Sequence, residues 1–259
     1  MPDFDTVKYA IDDNVAIVTI SRPDAMNSFN DDLRRDLHAA LEIAANDKSI
    51  RAVILTGEGR TFSAGADLKD IDTGRSIEDM LQQEYRPVFE SIGRMEKPVI
   101  AAVGGSVAGI GMSMALSCDL LIMADTAFML SPFTTISLVP DGGLNWLLVN
   151  QIGYRRAFQL SIESERVGAD RCVDLGLANR TAPSDSLMEE TIAWAKTIAE
   201  RAPLSIAATK KAMRHATSGS WASTFDIEAP LQKMLRHSED SAEGVAAFLE
   251  KRKPEFKGK

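Results

Sequence analysis

Three segments of this chain combine small or acidic residues with positions that directly follow a predicted strand. The first runs from Gly59 to Lys69 and carries Ser63-Ala64-Gly65-Ala66. Small side chains let a ligand approach the main chain closely, and successive N–H groups in such a turn can face one oxygen atom. A simpler interpretation is a strand-to-helix turn that Asp67 caps. The segment alone is compatible with either.

The second segment, Val103 to Ser113, is rich in glycine and lies between a predicted strand and a predicted helix. A helix start directs free N–H groups and the positive end of the helix dipole at whatever precedes it, which favours a developing oxyanion. The order of strand, glycines, helix, strand and Asp125 is also that of a dinucleotide-binding site. The glycine pattern of such sites requires glycine two positions after Gly104, and Ser106 stands there instead. As an alternative to a ligand site, the glycines could serve only to pack the helix closely against the sheet.

The third segment, Ser131 to Trp146, contains one ionisable residue, Asp141, in a mostly apolar stretch. Burial there would raise the pKa of the carboxyl and make it a stronger base. Pro-Asp-Gly-Gly is also an ordinary turn, in which Asp141 would cap a helix over about 143–152.

Composition limits the function classes. The 259 residues include 37 acidic and 29 basic ones, so a broad footprint for nucleic acid or an anionic membrane is absent. The acidic N-terminus lacks the features of a signal peptide, and no apolar run reaches the roughly 18 residues that a membrane span needs. Two cysteines, Cys118 and Cys172, suit a reducing compartment. We expect a soluble, cytoplasmic protein with no nucleic-acid or membrane partner.

The three histidines lie in helical stretches without metal-ligand spacing, so the sequence predicts no metal or redox cofactor.

Strands and helices alternate through about residue 180, which predicts an α/β core with buried parallel strands. The predicted strands are Val7–Ala10 and Val15–Ile20, joined by a hairpin turn, then Ala52–Thr56, Val99–Val103, Leu120–Ala124 and Ala127–Leu130. The predicted helices are Asp31–Ala45, about Ile77–Met95, and a small-residue helix that opens within Gly104–Gly111 and ends near Cys118. From Leu187 to Glu250 the pattern is almost only helical, with breaks predicted at Pro203, around Gly219 and Pro230, and near 238–241.

Taken together and in this order, the three segments resemble the crotonase, or enoyl-CoA hydratase/isomerase, superfamily over nearly the whole chain. Further matching pieces are Ile20–Asn27, Glu165–Val167, Gly176–Arg180 and Ala247–Lys259. The resemblance implies a spiral of ββα units over residues 1–186, a helical region for oligomerisation over 187–259, and a homotrimer or a dimer of trimers.

The resemblance also implies an acyl-CoA thioester as substrate, with CoA as part of that substrate and no separate cofactor. The thioester oxygen would accept hydrogen bonds from the main-chain N–H groups of Ala66 and Ile110, the latter preceded by Gly109. The other positions that match CoA contacts are Ala25, Ala64, Asp67 and Leu68, with Phe248 and Lys251 often supplied by a neighbouring subunit.

The hydratases of this superfamily use two glutamates to activate water, and these positions are Ser113 and Phe133 here. Pro132-Phe133 followed by Pro140-Asp141 instead resembles the enoyl-CoA isomerases, most closely the epoxyphenylacetyl-CoA isomerase type. We therefore expect an isomerase with Asp141 as its single base. A divergent hydratase and an acyl-CoA-binding subunit without activity remain alternatives.

Trp146 and the stretch Ile77–Tyr85 are candidates for lining the acyl pocket, although aromatic residues at helical spacing are more often plain core.

Overall fold

The computed structural model of the chain, which describes residues 3–69 and 74–259, contains two β-sheets. The strands are β1 (Val7–Asp12), β2 (Val15–Ile20), β3 (Ala52–Gly57), β4 (Thr61–Ser63), β5 (Val99–Val103), β6 (Ser106–Ala108), β7 (Leu120–Ala124), β8 (Phe128–Leu130), β9 (Val167–Gly168) and β10 (Arg180–Ala182). The first sheet has the order β1-β2-β3-β5-β7-β10, and it is parallel except for the β1–β2 hairpin. The second sheet has the order β4-β6-β8-β9.

Successive turns of the chain add one strand to each sheet. β3, β5 and β7 are neighbours in the first sheet, and each is followed by β4, β6 or β8, which are neighbours in the second. Helices follow these strand pairs, so the predicted α/β fold is confirmed. Because β4, β6 and β8 run parallel, their carboxyl ends lie along one edge of the second sheet. The chain segments that leave these ends are the three that the sequence singled out.

The helices differ in how far they are buried. Their bounds are α1 (Asp31–Asn46), α2 (Ile77–Asp79), α3 (Arg86–Arg94), α4 (Ile110–Ser117), α5 (Leu144–Ile152), α6 (Tyr154–Glu163), α7 (Ala169–Leu175), α8 (Leu187–Ala199), α9 (Pro203–Ala216), α10 (Trp221–Arg236) and α11 (Glu239–Glu250). In α4 every residue from Ile110 to Leu116 is buried, since the helix is apolar on all sides. It forms the centre of the core, and its first turn lies beside the end of β4.

The predicted helix at Ile77–Met95 contains a π-helical part. Met80–Tyr85 joins α2 to α3 without a break. Pro87 has no N–H group, and its ring would clash with the carbonyl group of Gln83 in a regular α-helix. The wider π-turn avoids that clash.

The predicted helix break at Pro230 is wrong. α10 runs through this residue from Trp221 to Arg236. Pro230 leaves the carbonyl group of Asp226 without its helical donor, but Asp226 is exposed and water can replace that donor. The breaks near Pro203, Gly219 and Ser238 are confirmed, since each separates two helices.

The C-terminal helices differ in how far they pack on the core. α8 packs against β3 and β5, and α9 is tied to the core by Lys210 and Arg214, which form ion pairs with Asp119 at 2.6 and 2.7 Å. α10, in contrast, has no buried residue. The two cysteines are not joined by a disulfide. Within residues 3–69 and 74–259, no helix has both the length and the apolar character of a membrane span.

Candidate active site

The turns after β4 and β6 contact each other through their glycines. A Cβ atom added to Gly65 would lie 3.0 Å from the carbonyl oxygen of Ala108 and 3.5 Å from the nitrogen of Ile110. Gly65 has φ +101° and Gly109 has φ +55°, both in the region that favours glycine. Only glycines allow the two main chains to approach this closely. The first and second sequence segments therefore form one site.

The Ala66 peptide is fixed by a bridge to Phe29. The Phe29 N–H donates to the Gly65 carbonyl oxygen at 2.8 Å, and the Asp67 N–H donates to the Phe29 carbonyl oxygen at 3.0 Å. In such a parallel bridge the residue between these two bonds directs its own N–H group away from the partner chain. The Ala66 N–H donates no main-chain hydrogen bond within the described residues. It remains available to a ligand.

Ile110 is the first residue of α4, so its N–H group has no acceptor within the helix. The preceding N–H, of Gly109, is used in a bond to the Leu130 carbonyl oxygen at 3.1 Å. That bond connects the turn to the end of β8. Two free N–H groups thus lie on facing turns, one of them at the positive end of a helix dipole. This arrangement suits an oxygen atom that gains negative charge.

Arg22 holds the Ala66 turn from its other side. Its guanidinium donates to the Ser28 carbonyl oxygen and forms an ion pair with Asp67 at 3.1 Å, where both side chains are less than one-fifth exposed. Burial raises the pKa of Asp67, but the hydrogen bonds from Arg22 and from the Lys69 N–H outweigh it and hold the pKa below its ordinary value. Asp67 is therefore an ionised anchor for the turn.

Asp141 lies on the turn between Pro140 and α5. One of its carboxylate oxygens, Oδ1, is buried and has no hydrogen-bond partner. Burial raises the pKa of Asp141 to about 6, partly offset by its own main-chain N–H. No ion pair to Asp141 occurs among residues 3–69 and 74–259. A carboxylate that is poorly solvated and unpaired can take up a proton near neutral pH.

The turn that carries Asp141 packs on the first turn of α4. Gly142, with φ +59°, has no room for a side chain, because a Cβ atom would lie 2.8 Å from Cγ1 of Ile110 and 3.0 Å from Cβ of Ser113. The Ser113 hydroxyl donates to the Asp141 carbonyl oxygen at 2.9 Å. The structure thus brings the third segment onto the second, which in turn contacts the first.

Phe133 also lies beside the facing turns. Its side chain is buried, and its Cζ atom would be 3.9 Å from a Cβ atom on Gly109. Neither Phe133 nor the bonded hydroxyl of Ser113 can activate water as a carboxylate does. Among the described residues, no group of three or more His, Cys, Asp or Glu side chains is arranged to hold a metal ion.

The other predicted ligand contacts fall in two places. Ala25 ends a 3₁₀ turn, and the carbonyl oxygen of the neighbouring Met26 accepts a hydrogen bond from the Ala64 N–H. Leu68, further along the segment after β4, is exposed. Phe248 and Lys251 instead lie exposed at the end of α11.

Trp146 lies in the first turn of α5 and is 48% exposed. It lines a cavity of about 790 Å³ between the far end of α4 and helix α9, with Leu116 and Met213. In the stretch Ile77–Tyr85, the ring of Tyr85 packs on Phe29, 5.8 Å between centroids, and is buried.

Sequence reasoning missed the residues that hold these turns in place. Besides Arg22, the buried Asn27 donates to the carbonyl oxygens of Glu58 and Thr61 at 3.0 and 2.6 Å. The Ser63 hydroxyl donates to the Asn27 carbonyl oxygen at 2.8 Å. The available signal was a segment from Arg22 to Asn30 that mixes polar residues with Pro23 and Ala25, shortly before α1 and without apolar periodicity. Such a segment predicts a loop, but not its partners.

Known proteins match this sequence and this fold. Residues 10–259 match the family described as enoyl-CoA hydratase/isomerase. The chain belongs to this family, within the crotonase superfamily. A probable enoyl-CoA hydratase of Rhodobacter capsulatus is 38% identical over 99% of both chains. The 1,2-epoxyphenylacetyl-CoA isomerase of Escherichia coli K12 is 32% identical over 96% of this chain and 97% of its own.

Solved structures agree with these sequence matches. The crystal structure of an enoyl-CoA hydratase from Polaromonas sp. JS666 superposes with a TM-score of 0.92 and 32% identity, over 97% of this chain and 99% of the other. Relatives with both names, hydratase and isomerase, therefore share this fold. The choice between the two reactions depends on the residues of the site.

Proposed function

We propose that this protein is an enoyl-CoA isomerase that moves a carbon–carbon double bond in an acyl-CoA thioester. The observation that carries the proposal is the buried carboxylate oxygen of Asp141, which has no partner among the described residues and lies on a turn packed against the first turn of α4. Its ligand would be the thioester itself, with no further cofactor.

The N–H groups of Ala66 and Ile110 would bind the thioester oxygen. When a 3-enoyl thioester loses a proton from C2, the electron pair moves onto that oxygen and forms a dienolate. Fixed donors stabilise this charge more than they stabilise the neutral substrate, and this difference accelerates the reaction. Loss of one such donor typically costs about 3 kcal/mol in the transition state.

Asp141 would carry the proton. In its ionised form it takes the proton from C2, and in its protonated form it returns it to C4, so that the double bond ends between C2 and C3. The reaction is balanced without water or a second base. The raised pKa supports this role, because a base with a pKa of about 6 both accepts and returns a proton readily near neutral pH.

A divergent hydratase is the second candidate, and the 38% identity to a probable hydratase favours it. Against it, Ser113 and Phe133 stand at the positions of the two hydratase glutamates. An acyl-CoA-binding subunit without activity is a third possibility, but the poorly solvated Asp141 is costly to maintain without a function.

The test is Asp141→Asn, which keeps the shape of the side chain but removes the base. We expect the conversion of 3-enoyl-CoA to 2-enoyl-CoA to fall by about 10²–10⁴-fold, with unchanged binding of CoA in calorimetry. Asp174→Asn, an exposed carboxylate on α7, is the control. Because Asn before Gly142 deamidates readily to Asp, the intact mass must be checked. Full activity of Asp141→Asn would refute the proposal.

Substrate binding and assembly follow the same family pattern. We infer that Ala25, Ala64, Asp67 and Leu68 contact CoA, and that Phe248 and Lys251 reach CoA bound to a neighbouring subunit in a trimer or a dimer of trimers. Trp146 would line the far end of the acyl pocket. A cytoplasmic location agrees with two unpaired cysteines.

A further inference from the structure

The first turn of α4 connects the two halves of the site. Ile110 and Ser113 are three residues apart, so they lie on the same face of the helix. Ile110 provides one of the two N–H groups, and Ser113 is fully buried one turn further along. The turn at Asp141 and Gly142 rests on this face.

Ser113 binds the main chain of Asp141. Its hydroxyl donates to the Asp141 carbonyl oxygen at 2.9 Å. Gly142 contacts both Ser113 and Ile110 so closely that even a methyl group would not fit. On the other side of this turn, the Asn145 amide donates to the Pro140 carbonyl oxygen at 2.6 Å. The peptide of Asp141 is thereby fixed relative to the N–H group of Ile110.

We propose that Ser113 is a positioning residue, which holds the carboxylate of Asp141 in register with the oxyanion donor of Ile110. The proposal rests on the isomerase function above and assigns to Ser113 a part in it other than contact with substrate. The hydroxyl donates a hydrogen bond to the Asp141 carbonyl oxygen. It therefore acts on the reaction through the main chain of Asp141.

Among residues 3–69 and 74–259, only burial and its own main-chain N–H shift the pKa of Asp141, and no charged side chain contributes. α4 presents Ile110 and Ser113, and α5 presents Leu144 and Asn145. A change in the pKa of Asp141 on mutation of Ser113 would therefore report a change in its exposure to water and not the loss of a neighbouring charge.

Ser113→Ala tests the proposal. The Asp141 carbonyl oxygen also accepts the Leu144 N–H at 3.0 Å, so it stays paired and the protein should fold. We expect kcat for the double-bond shift to fall by about 10- to 100-fold with KM within about twofold, because a displacement of the base by 1 Å is enough for such a loss. Ser113→Cys, which keeps the shape and weakens the hydrogen bond, should fall between Ser113→Ala and wild type.

The matched control is Ser117→Ala. It removes a hydroxyl from the same helix one turn later, where the partner is the carbonyl oxygen of Ser113. We expect kcat and KM within about twofold of wild type.

A second measurement needs no turnover. In protein with ¹³C-labelled aspartate, the resonance of Asp141 is identified by its loss in Asp141→Asn. We expect its pKa to lie below the wild-type value in Ser113→Ala, since a looser turn admits water, and to be unchanged in Ser117→Ala. If Ser113→Ala matches Ser117→Ala in kcat, or lowers kcat without changing this pKa, the proposal is wrong. Full activity of Asp141→Asn would instead refute the isomerase function, whereas the measured pKa would still report on Ser113.

Discussion

At the scale of residues, the site depends on one carboxylate and two glycines. Asp141 lacks a partner for Oδ1, and burial raises its pKa to about 6. Gly65 and Gly109 let two main chains meet where side chains would keep them apart. The proposed chemistry would depend on main-chain N–H groups, which substitution of the Ala66 or Ile110 side chain would leave in place.

The raised pKa of Asp141 has a consequence for stability. At pH values between the ordinary pKa of an aspartate and about 6, Asp141 is more often protonated in the folded protein than in the unfolded chain. The free energy of unfolding therefore falls as the pH rises through this range. Asp141→Asn removes this cost. We expect the variant to be more stable than wild type at pH 7 by roughly 1–3 kcal/mol, and equal to it near pH 3. Denaturant unfolding of both proteins at pH 7 and at pH 3 measures the difference in the free energy of unfolding. If this difference were the same at the two pH values, the Asp141 carboxyl would not be buried.

The same pKa predicts the pH profile of the reaction. Since the ionised carboxylate is the base, kcat/KM should rise with pH through about 6 and then level off. Rates measured from pH 4.5 to 8 at constant ionic strength give the midpoint. A midpoint near the ordinary aspartate value would show that Asp141 is solvated in the working enzyme.

Gly65→Ala tests the closeness of the two turns. The added Cβ atom would lie 3.0 Å from the Ala108 carbonyl oxygen and would require φ +101° from alanine. We expect a loss of about 10²–10³-fold in kcat, as for removal of an oxyanion donor. Gly176→Ala is the control, because it imposes alanine at φ +80° with no atom within 4 Å of the new Cβ. Equal activity of both variants would argue against an oxyanion site here.

At the scale of elements, three parallel strands bring the site together. β4, β6 and β8 end along the same edge, and the turns that follow them carry Ala66, Ile110 and Asp141. The long buried strands of the first sheet could be predicted from their apolar runs. The strands Thr61–Ser63 and Ser106–Ala108 could not, because three residues show no period and glycines surround them. Their pairing, and hence the meeting of Gly65 with Gly109, is a tertiary property.

The Arg22–Asp67 ion pair connects the segment before α1 to the turn after β4. Arg22→Met keeps the length of the side chain but leaves the mostly buried Asp67 carboxylate without its ion pair. We expect the melting temperature to fall by several degrees and kcat by about 10-fold, as the Ala66 turn loosens. Arg22→Lys should not restore wild-type activity, since one ammonium cannot reproduce the two-sided guanidinium contacts. Arg86→Met, which removes an exposed ion pair with Glu90, is the control; equal effects of both would contradict the role of Arg22.

At the scale of the whole molecule, the C-terminal helices expose several large apolar side chains. Trp221 is 81% exposed and Phe248 is 82% exposed, and α10 buries no residue. Large exposed apolar patches usually mark interfaces. Sequence periodicity identified these helices but could not show which faces the core leaves uncovered. Pro230, which the sequence predicts to end a helix, is tolerated within this exposed one.

This surface predicts assembly. By light scattering we expect a mass of three or six times 28.2 kDa. Trp221→Glu places a charge in the patch where Trp221 stacks on Phe225, 5.4 Å between ring centroids, and should reduce the mass. A wild-type monomer at micromolar concentration would contradict the proposed trimer.

The most direct test of the proposed reaction follows the fate of solvent oxygen. The purified protein is incubated with a panel of 3-enoyl-CoA and 2-enoyl-CoA thioesters in H₂¹⁸O, and the products are identified by mass spectrometry. A single-base isomerase converts 3-enoyl-CoA to 2-enoyl-CoA with no ¹⁸O in the acyl chain, and this conversion is lost in Asp141→Asn. Formation of 3-hydroxyacyl-CoA carrying ¹⁸O as the main product would contradict the proposed isomerase reaction and establish a hydratase.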